Sequence, residues 1–523
     1  MSNAPFKYIP QWSRVRLRYL FVSGLVGLIL SVSALGGDIQ TGIENSRQLA
    51  KQGEKMIKKG KFADAERLLR RAVDASPDDS SIKLRLAYVY VKQRRVHDAY
   101  RLSFKIAEAE PDNSEAYAVL GSTFLAAGKF PQARAMFYQS LNLNKKEAMA
   151  WAGLGMLEFY ENRITESIRR LEEAVYREPN HPDYVFALAQ VSARAEKFKE
   201  AADAYYHFLV ISKDTDDERR ERIRGLIGFL RYLGTRQNLY ETSGTATTVP
   251  IEVVGNRPII ELRVNGRVRP LRFVLDTGSG ISVLSEETAK ELSIEPVAKG
   301  GFAKGIGGDG KFPIVYGFLR ELQIGDVQIK SVPIYIRKFH SNGQHIDGYI
   351  GLSLISKFLM RLDYGSRTFT LEKNLPSQTE IDDTDISVPL RLTSSGFLSG
   401  EVKLDGLETP LNFIVDTGAS VSVISDQIAS LDEFQPHATD EKMRVIGSAG
   451  VTESVPSYLL PGVTFGQHQR SSITAIALDL NMINEASGFE QSGILGGNFL
   501  KNYIMTFDFK RSKVTFTPIA VEK

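Results

Sequence analysis

Residues 46 to 213 repeat with a period of 34, and this period constrains the fold more than any other feature of the chain. Three columns of residues step by 34 without a gap, and apolar residues lie at helical spacing between them. Two columns hold small residues, and the third holds mainly proline, which ends a helix. The columns are Gly53, Ala87, Gly121, Gly155 and Ala189; Ala65, Ala99, Ala133, Ser167 and Ala201; and Pro77, Pro111, Lys145, Pro179 and Lys213.

This pattern resembles the tetratricopeptide repeat, with five copies. The resemblance implies a pair of helices per repeat, with close approach at the small residues. Residues 216–234 fit a capping helix, so we predict an α-helical solenoid over 46–234. Its concave groove would bind a protein partner, although a spacer or a dimerisation element fits the pattern equally well. The polar stretch 235–249 is interpreted as a linker.

The N-terminus has the order of an export signal. The flank 1–18 carries four basic residues, and an uncharged run from Tyr19 to Leu35 extends to Gly37. Segment 19–37 is therefore predicted to be a transmembrane anchor or a cleaved signal, at about the ~18-residue threshold for a spanning helix. A buried core helix is the alternative. We expect a membrane-anchored protein with its bulk outside the cytoplasm, in the bacterial periplasm, or a secreted protein if the segment is cleaved.

Charge and cysteine content exclude several classes of function. The chain has 65 Lys and Arg against 62 Asp and Glu, which argues against nucleic acid as a partner. It has no cysteine, which excludes disulfides, thiolate zinc sites and cysteine nucleophiles. The seven histidines show no metal-ligand spacing. We therefore expect neither a metal nor a cofactor.

From residue 250 the sequence consists of short apolar runs broken by turn residues, and these runs form a duplication. Residues 272–279 match 412–419 at an offset of 140, and 349–352 match 494–497 at an offset of 145. We predict two β-rich lobes at 250–373 and 386–519, joined by a linker at 374–385. Each copy has an Asp-Thr-Gly between two apolar strands, at Asp276 and at Asp416.

Two facing carboxyl groups can catalyse the hydrolysis of an amide by water. One activates the water and the other protonates the carbonyl oxygen. Charges about 3 Å apart at an effective dielectric near 20 repel by about 5 kcal/mol, or about four pKa units, so the pair retains one proton. Thr277 and Thr417 offer hydroxyls that could lock the two loops together, and Gly278 and Gly418 allow close approach.

This layout resembles the aspartic peptidases, both pepsin-like and retropepsin-like, over about residues 250–519. The resemblance implies a bilobal β fold with pseudo-two-fold symmetry and an extended substrate between the lobes. It implies that Asp276 and Asp416 are catalytic and that Ile350-Gly351 and Leu495-Gly496 lie behind the catalytic loops. It also implies Gly-rich flaps over the cleft. The candidate flap residues are Gly305, Ile306, Gly307 and Gly308 in the first copy, and Ile446, Gly447 and Ser448 in the second.

Three local features leave alternatives open. The first flap also fits G-x-G-x-x-G, but a strand-like run follows it where a dinucleotide site needs a helix, so we predict a flap. Gly280 stands where the second copy has Ser420, so the first catalytic loop is expected to be looser. Asp347, Asp363 and Asp508 are expected to be structural.

The sequence thus predicts an aspartic endopeptidase that cleaves protein or peptide substrates, recruited or oriented by the solenoid. The alternative is an inactive scaffold of the same fold that binds extended peptides. A third possibility pairs each lobe with a lobe of another chain.

Overall fold

A computed structural model describes residues 35–236, 238–340, 344–373, 386–389 and 391–519. The predicted flank 1–18, most of the anchor 19–37 and the linker 374–385 lie outside these residues. Among the helices that the structure describes, none has the length and apolar character needed to cross a membrane.

The first half of the described chain is an all-helical solenoid of five antiparallel helix pairs and one further helix, as the 34-residue period predicts. The pairs are α1 (Leu35–Lys58) and α2 (Phe62–Ala75); α3 (Ser80–Lys92) and α4 (Val96–Ala109); α5 (Ser114–Ala126) and α6 (Phe130–Leu143); α7 (Ala148–Tyr160) and α8 (Ile164–Arg177); and α9 (Pro182–Arg194) and α10 (Phe198–Ile211), followed by α11 (Asp217–Gly234). The solenoid begins at Leu35, before the predicted start at residue 46, because α1 continues towards the N-terminus through 35–45.

The small columns lie where the helices touch. Ala65, Ala99 and Ala133 are fully buried. A side chain at Gly121 would meet the ring of Phe137, which packs beside it in the next helix. The proline column follows the second helix of its repeat, as at Pro77 after α2, where the missing N–H and fixed φ prevent continuation.

The second half folds into two lobes with the same strand path. The first lobe contains β1 (Glu241–Ser243), β2 (Ala246–Pro250), β3 (Glu252–Val254), β4 (Arg257–Val264), β5 (Leu271–Leu275), β6 (Val283–Ser285), α12 (Glu286–Glu291), β7 (Ala298–Lys304), β8 (Lys311–Ile324), β9 (Val327–Arg337), β10 (Gly348–Ile350), α13 (Leu352–Ile355), β11 (Leu359–Asp363) and β12 (Thr368–Glu372). Nine of its described strands form one sheet, in which β10 pairs parallel with β5.

The second lobe repeats this arrangement in a sheet of eight described strands, in which β21 pairs parallel with β16. Its elements are β13 (Ile386–Pro389), β14 (Arg391–Leu392), β15 (Leu398–Leu404), β16 (Leu411–Val415), β17 (Ser422–Ser425), α14 (Asp426–Ala429), β18 (Ala438–Ile446), β19 (Val451–Phe465), β20 (His468–Leu478), α15 (Asn481–Ser487), β21 (Gly493–Leu495), α16 (Gly497–Leu500), β22 (Tyr503–Asp508) and β23 (Lys513–Pro518).

A third sheet joins the lobes, in the order β13-β23-β22-β11-β12-β2. One hydrophobic core runs through both lobes, so they form a single folding unit. This sheet also corrects the interpretation of 235–249 as a linker. Exposed and buried residues alternate along β2, as they do in a strand with one face on the core. β2 pairs antiparallel with β12 and forms the edge of the third sheet.

The solenoid docks on both lobes. On lobe 1, α11 packs on β7, and the Phe229 ring stacks on Tyr316 with centroids 4.3 Å apart. On lobe 2, the fully buried Phe489 enters the solenoid core, 4.9 Å from the rings of both Phe130 and Tyr160. The solenoid therefore bridges the two halves of the duplication.

A matched pair of glycine substitutions tests the packing of the solenoid. A methyl group at Gly153 would lie 2.1 Å from the tip of the buried Phe137 ring, whereas one at Gly228 has no atom closer than 3.9 Å. We expect Gly153→Ala to destabilise the solenoid by about 2 kcal/mol through overpacking. Gly228→Ala should stabilise it by about 1 kcal/mol through helix propensity. Thermal unfolding followed by circular dichroism measures both, and equal shifts would contradict the packing described here.

Candidate active site

The two Asp-Thr-Gly loops leave equivalent strands of the duplication and meet at its pseudo-two-fold axis. Asp276 follows β5, and its backbone N–H donates to the Ile350 carbonyl at 3.0 Å. Asp416 follows β16, and its N–H donates to the Leu495 carbonyl, also at 3.0 Å. The segments Ile350-Gly351 and Leu495-Gly496 therefore lie directly behind the loops, where the resemblance to aspartic peptidases places them.

Reciprocal threonine hydrogen bonds lock the loops to each other. The Thr277 hydroxyl donates to the Val415 carbonyl at 2.7 Å and accepts from the Thr417 backbone N–H at 3.1 Å. The Thr417 hydroxyl donates to the Leu275 carbonyl at 2.7 Å and accepts from the Thr277 N–H at 3.1 Å. Both threonines are fully buried. The lobes thus pair within one chain, and no second molecule is needed to bring the loops together.

The carboxyl group of each aspartate lies against the loop of the other. A Cβ at Gly418 would lie 2.8 Å from the Asp276 carboxyl carbon. The Gly278 N–H donates to Asp276 Oδ1 at 2.9 Å, and the Gly418 N–H donates to Asp416 Oδ1 at 2.7 Å. A side chain at Gly278 would place Cβ 2.4 Å from the Asp416 carboxyl carbon, so glycine is required for this approach.

Burial and mutual repulsion bias the pair towards keeping a proton. Burial, followed by the charge of Asp416, raises the pKa of Asp276 well above its usual range. Burial also raises the pKa of Asp416, where hydrogen bonds from Asp276 and from the backbone of Gly418, Ala419 and Gly278 oppose the rise. These donors stabilise a carboxylate on Asp416 and so favour the proton on Asp276. The two groups titrate as a unit.

The flap candidates form the tips of two hairpins that meet over the cleft. The first tip joins β7 to β8, and the second joins β18 to β19. The Ala449 N–H donates to the Ile306 carbonyl at 2.8 Å, and the Gly308 N–H donates to the Val451 carbonyl at 3.3 Å. The segment 305–310, which fits G-x-G-x-x-G, thus lies in a hairpin tip and does not open a helix, as predicted.

A single cavity of about 1900 Å³ extends from the carboxyl pair to the solenoid. Its lining includes Asp276 and Asp416, five of the candidate flap residues, and side chains from α7, α9 and α11 of the solenoid. The flap residues are Gly305, Ile306, Ile446, Gly447 and Ser448. Gly307 lies against the backbone of the opposing tip at Gly450. The solenoid therefore forms one wall of the cleft.

Several other predicted features have structural roles. Asp347 is buried and accepts from the Arg272 N–H at 2.8 Å and from the Thr288 hydroxyl at 2.9 Å. Asp363 accepts from two backbone N–H groups of the turn that follows it, and Asp508 accepts from the Arg511 N–H.

The expectation of a looser first loop is wrong, because Gly280 packs so closely on the backbone of Ser395 that a Cβ would lie 2.1 Å from its carbonyl oxygen.

Arg337 is the main site residue that sequence analysis missed. It ends β9, its Nη1 donates to the Ser448 carbonyl at 2.9 Å, and its positive charge lowers the pKa of Asp276. No repeat or motif singles out this arginine in the sequence. Only the folded strand brings it beside Asp276.

The fold and the site together define a bilobal aspartic protease domain joined to a helical repeat solenoid. Residues 260–354 and 400–499 match the aspartyl protease family, and residues 56–123 and 152–213 match two tetratricopeptide repeat families. The chain therefore contains an aspartyl protease domain and tetratricopeptide repeats.

Solved structures of both kinds resemble parts of the chain. A thermophilic TPR protein of Thermus thermophilus is 20% identical over 35% of this chain and 98% of its own, with a TM-score of 0.31. The aspartic proteinase from Irpex lacteus is 13% identical over 53% of this chain and 98% of its own, with a TM-score of 0.37. PilF of Pseudomonas aeruginosa is 14% identical over 37% of this chain and 87% of its own, with a TM-score of 0.27. No curated protein matches the chain.

The raised pKa values predict how stability depends on pH. A carboxyl group whose folded pKa is raised contributes stability that is fully present below its unfolded pKa and is lost as pH rises through its folded pKa. Asparagine cannot ionise. The thermal midpoint of the parent should therefore fall relative to that of Asp276→Asn/Asp416→Asn as pH rises from about 4 to about 8. A pH-independent difference would contradict the buried, proton-sharing pair. The exposed Asp440→Asn serves as the control and should follow the parent.

Proposed function

We propose that this chain is an aspartic endopeptidase that hydrolyses peptide bonds of protein substrates. The close carboxyl pair at Asp276 and Asp416, which faces a cavity of about 1900 Å³, carries the proposal. The match to the aspartyl protease family over both loops supports it.

The reaction needs only water and the one proton that the pair holds. The Asp416 carboxylate accepts a proton as the water oxygen bonds to the peptide carbonyl carbon, and Asp276 gives its proton to the carbonyl oxygen. In the tetrahedral diol, a hydroxyl returns a proton to Asp276. Asp416 protonates the amine nitrogen as the C–N bond breaks. The products are an acid and an amine, and the pair again holds one proton.

The flaps and the solenoid would control how the substrate enters. The flap tips close the cleft from above, so a polypeptide must pass beneath them or part them. The solenoid wall would recruit or orient the protein substrate, because its helices line the same cavity as the carboxyl pair.

Single asparagine variants test the assignment. Asp276→Asn and Asp416→Asn should each lower cleavage of a quenched fluorescent peptide library by about 10³-fold or more, because the shared acid/base pair is lost. Asp440→Asn changes an exposed strand residue in the same way and should cleave like the parent.

Cleavage by either active-site variant at the parent rate would refute the peptidase assignment. If the folded parent binds extended peptides without cleaving them, the inactive scaffold takes its place. Rates per molecule should not change with protein concentration, since both lobes belong to one chain.

We further propose that segment 19–37 exports the chain and anchors it, with residues 38–523 outside the cytoplasm. The basic flank followed by an uncharged run supports this. In spheroplasts of a bacterial expression host, the full-length protein should sediment with membranes and be digested by added proteinase K. A soluble, shortened chain outside the spheroplasts would indicate cleavage of a signal. Full-length protein in the soluble cytoplasmic fraction would contradict export.

A further inference from the structure

The cavity above the carboxyl pair carries an excess of positive charge that the chain as a whole does not have. Over the whole chain, positive and negative charges are nearly equal in number, with 65 Lys and Arg against 62 Asp and Glu. Among the described residues that line the cavity, twelve are Lys or Arg and five are Asp or Glu. Two of those five are Asp276 and Asp416. The imbalance is therefore local to this cavity.

The remaining acidic groups of the lining are already paired. Asp183 lies 3.0 Å from Lys92 and accepts from the Tyr88 hydroxyl. Glu196 pairs with Lys357, and Glu485 pairs with Lys304. The ion-pair partners of these three carboxylates are therefore lysines, and none of them forms a salt bridge with an arginine of the solenoid wall.

Four arginines of the solenoid line the cavity, and within the described part of the chain none of the four forms a salt bridge. Arg94 donates to the Asn484 carbonyl at 2.8 Å. Arg194 donates to the Thr393 carbonyl at 2.6 Å and lies 3.7 Å above the Phe159 ring. Arg219 lies over the rings of Phe186 and Phe208, at 4.8 and 5.2 Å. The side chain of Arg222 makes no hydrogen bond to a described residue. Burial lowers the pKa of Arg194 to about 9. Burial also lowers the pKa of Arg219, and the charges of Asp183, Asp216 and Glu485 oppose this fall without reversing it.

Arg337 continues this basic surface to the reacting centre. Tyr335 and Arg337 lie two residues apart on β9 and therefore on the same face of the strand, about 7 Å apart. The positive charge of Arg222 favours a lower pKa for the Tyr335 hydroxyl, and that of Arg337 favours a lower pKa for Asp276. Arg337 Nε is buried and has no hydrogen-bond partner among the described residues. An unmet buried donor is costly, and a bound acceptor would satisfy it.

We propose that the cavity binds an acidic segment of the substrate polypeptide, with one carboxylate at Arg337 beside the scissile bond and others at Arg222, Arg219 and Arg194. The inference rests on the proposed function, because it names the class of peptide that the carboxyl pair cleaves. The Arg219 guanidinium lies over two aromatic rings and makes no hydrogen bond to a described residue, so its N–H groups are free for a carboxylate. Arginine–carboxylate pairs are frequently bidentate. The peptidase would thus select sites flanked by Asp or Glu.

Matched peptides on the full-length protein test the inference. The probes are a fluorescein-labelled peptide with a Leu-Phe centre flanked by glutamates and its isosteric glutamine counterpart. Binding is measured by fluorescence anisotropy on Asp276→Asn, which keeps every arginine. The glutamate peptide should bind at least about tenfold more tightly than the glutamine peptide. Adding Arg222→Gln or Arg337→Gln should weaken binding of the glutamate peptide alone by about tenfold, the effect of losing one charged hydrogen-bonded contact.

Arg224→Gln provides the control for net charge. Arg224 lies on the same helix as Arg222 but is exposed, and it does not line the cavity. The Arg222 side chain makes no hydrogen bond to a described residue, so Arg222→Gln should melt at the parent temperature. Equal affinity for the two peptides would overturn the inference. So would an equal loss in Arg224→Gln and Arg222→Gln, or tighter binding of a single-stranded oligonucleotide than of the glutamate peptide.

Cleavage of both peptides by the parent separates this inference from the peptidase assignment. If the parent cleaves both peptides at equal rates, the acidic preference fails and the peptidase assignment stands. If the glutamate peptide is preferred in binding but the parent cleaves neither peptide, the acidic site stands and the peptidase assignment fails.

Discussion

The reciprocal hydrogen bonds of Thr277 and Thr417 are the constraint on which the rest of the structure depends. Each hydroxyl satisfies one carbonyl and one N–H of the opposite lobe, and all four groups are buried away from water. Loss of either hydroxyl would leave buried backbone groups unsatisfied, at about 1–3 kcal/mol each. This locking holds two carboxyl groups together against their repulsion. The third sheet and the common core then keep the two lobes from separating.

The solenoid adds a second constraint, because it is fixed to both lobes and not tethered by a flexible linker. Phe489 inserts into its core from lobe 2, and α11 packs on β7, the strand that leads to the first flap tip. The Phe229 ring of α11 also stacks on Tyr316 of β8, the strand that leaves the same tip. The same docking brings helices of the solenoid over the cleft, so one cavity combines the carboxyl pair with a basic wall.

The features that repeat along the chain were predictable from the sequence, whereas contacts between segments that are not related by a repeat were not. The 34-residue columns predict the helix pairs, and the duplicated Asp-Thr-Gly loops predict the carboxyl pair, since each repeats a local pattern. β2 was interpreted as a linker because its threonines are compatible with both a strand and a polar loop. Only its pairing with β12, which is distant in the chain, makes it a strand. Phe489 and Arg337 belong to no repeat. Their roles depend on partners that are distant in the chain, and a single sequence carries no signal for such a contact.

Titration of the two carboxyl groups shows directly whether Asp276 and Asp416 share a proton. Carbon-13 labelling of aspartate, with Asp276 and Asp416 assigned from their asparagine variants, follows each carboxyl shift by NMR from acidic to alkaline pH. A proton-sharing pair predicts two widely separated steps, each seen at both residues, with the later step well above the usual aspartate pKa. Two independent single steps near the ordinary value would show that the carboxyl groups do not share a proton, and the account would be wrong.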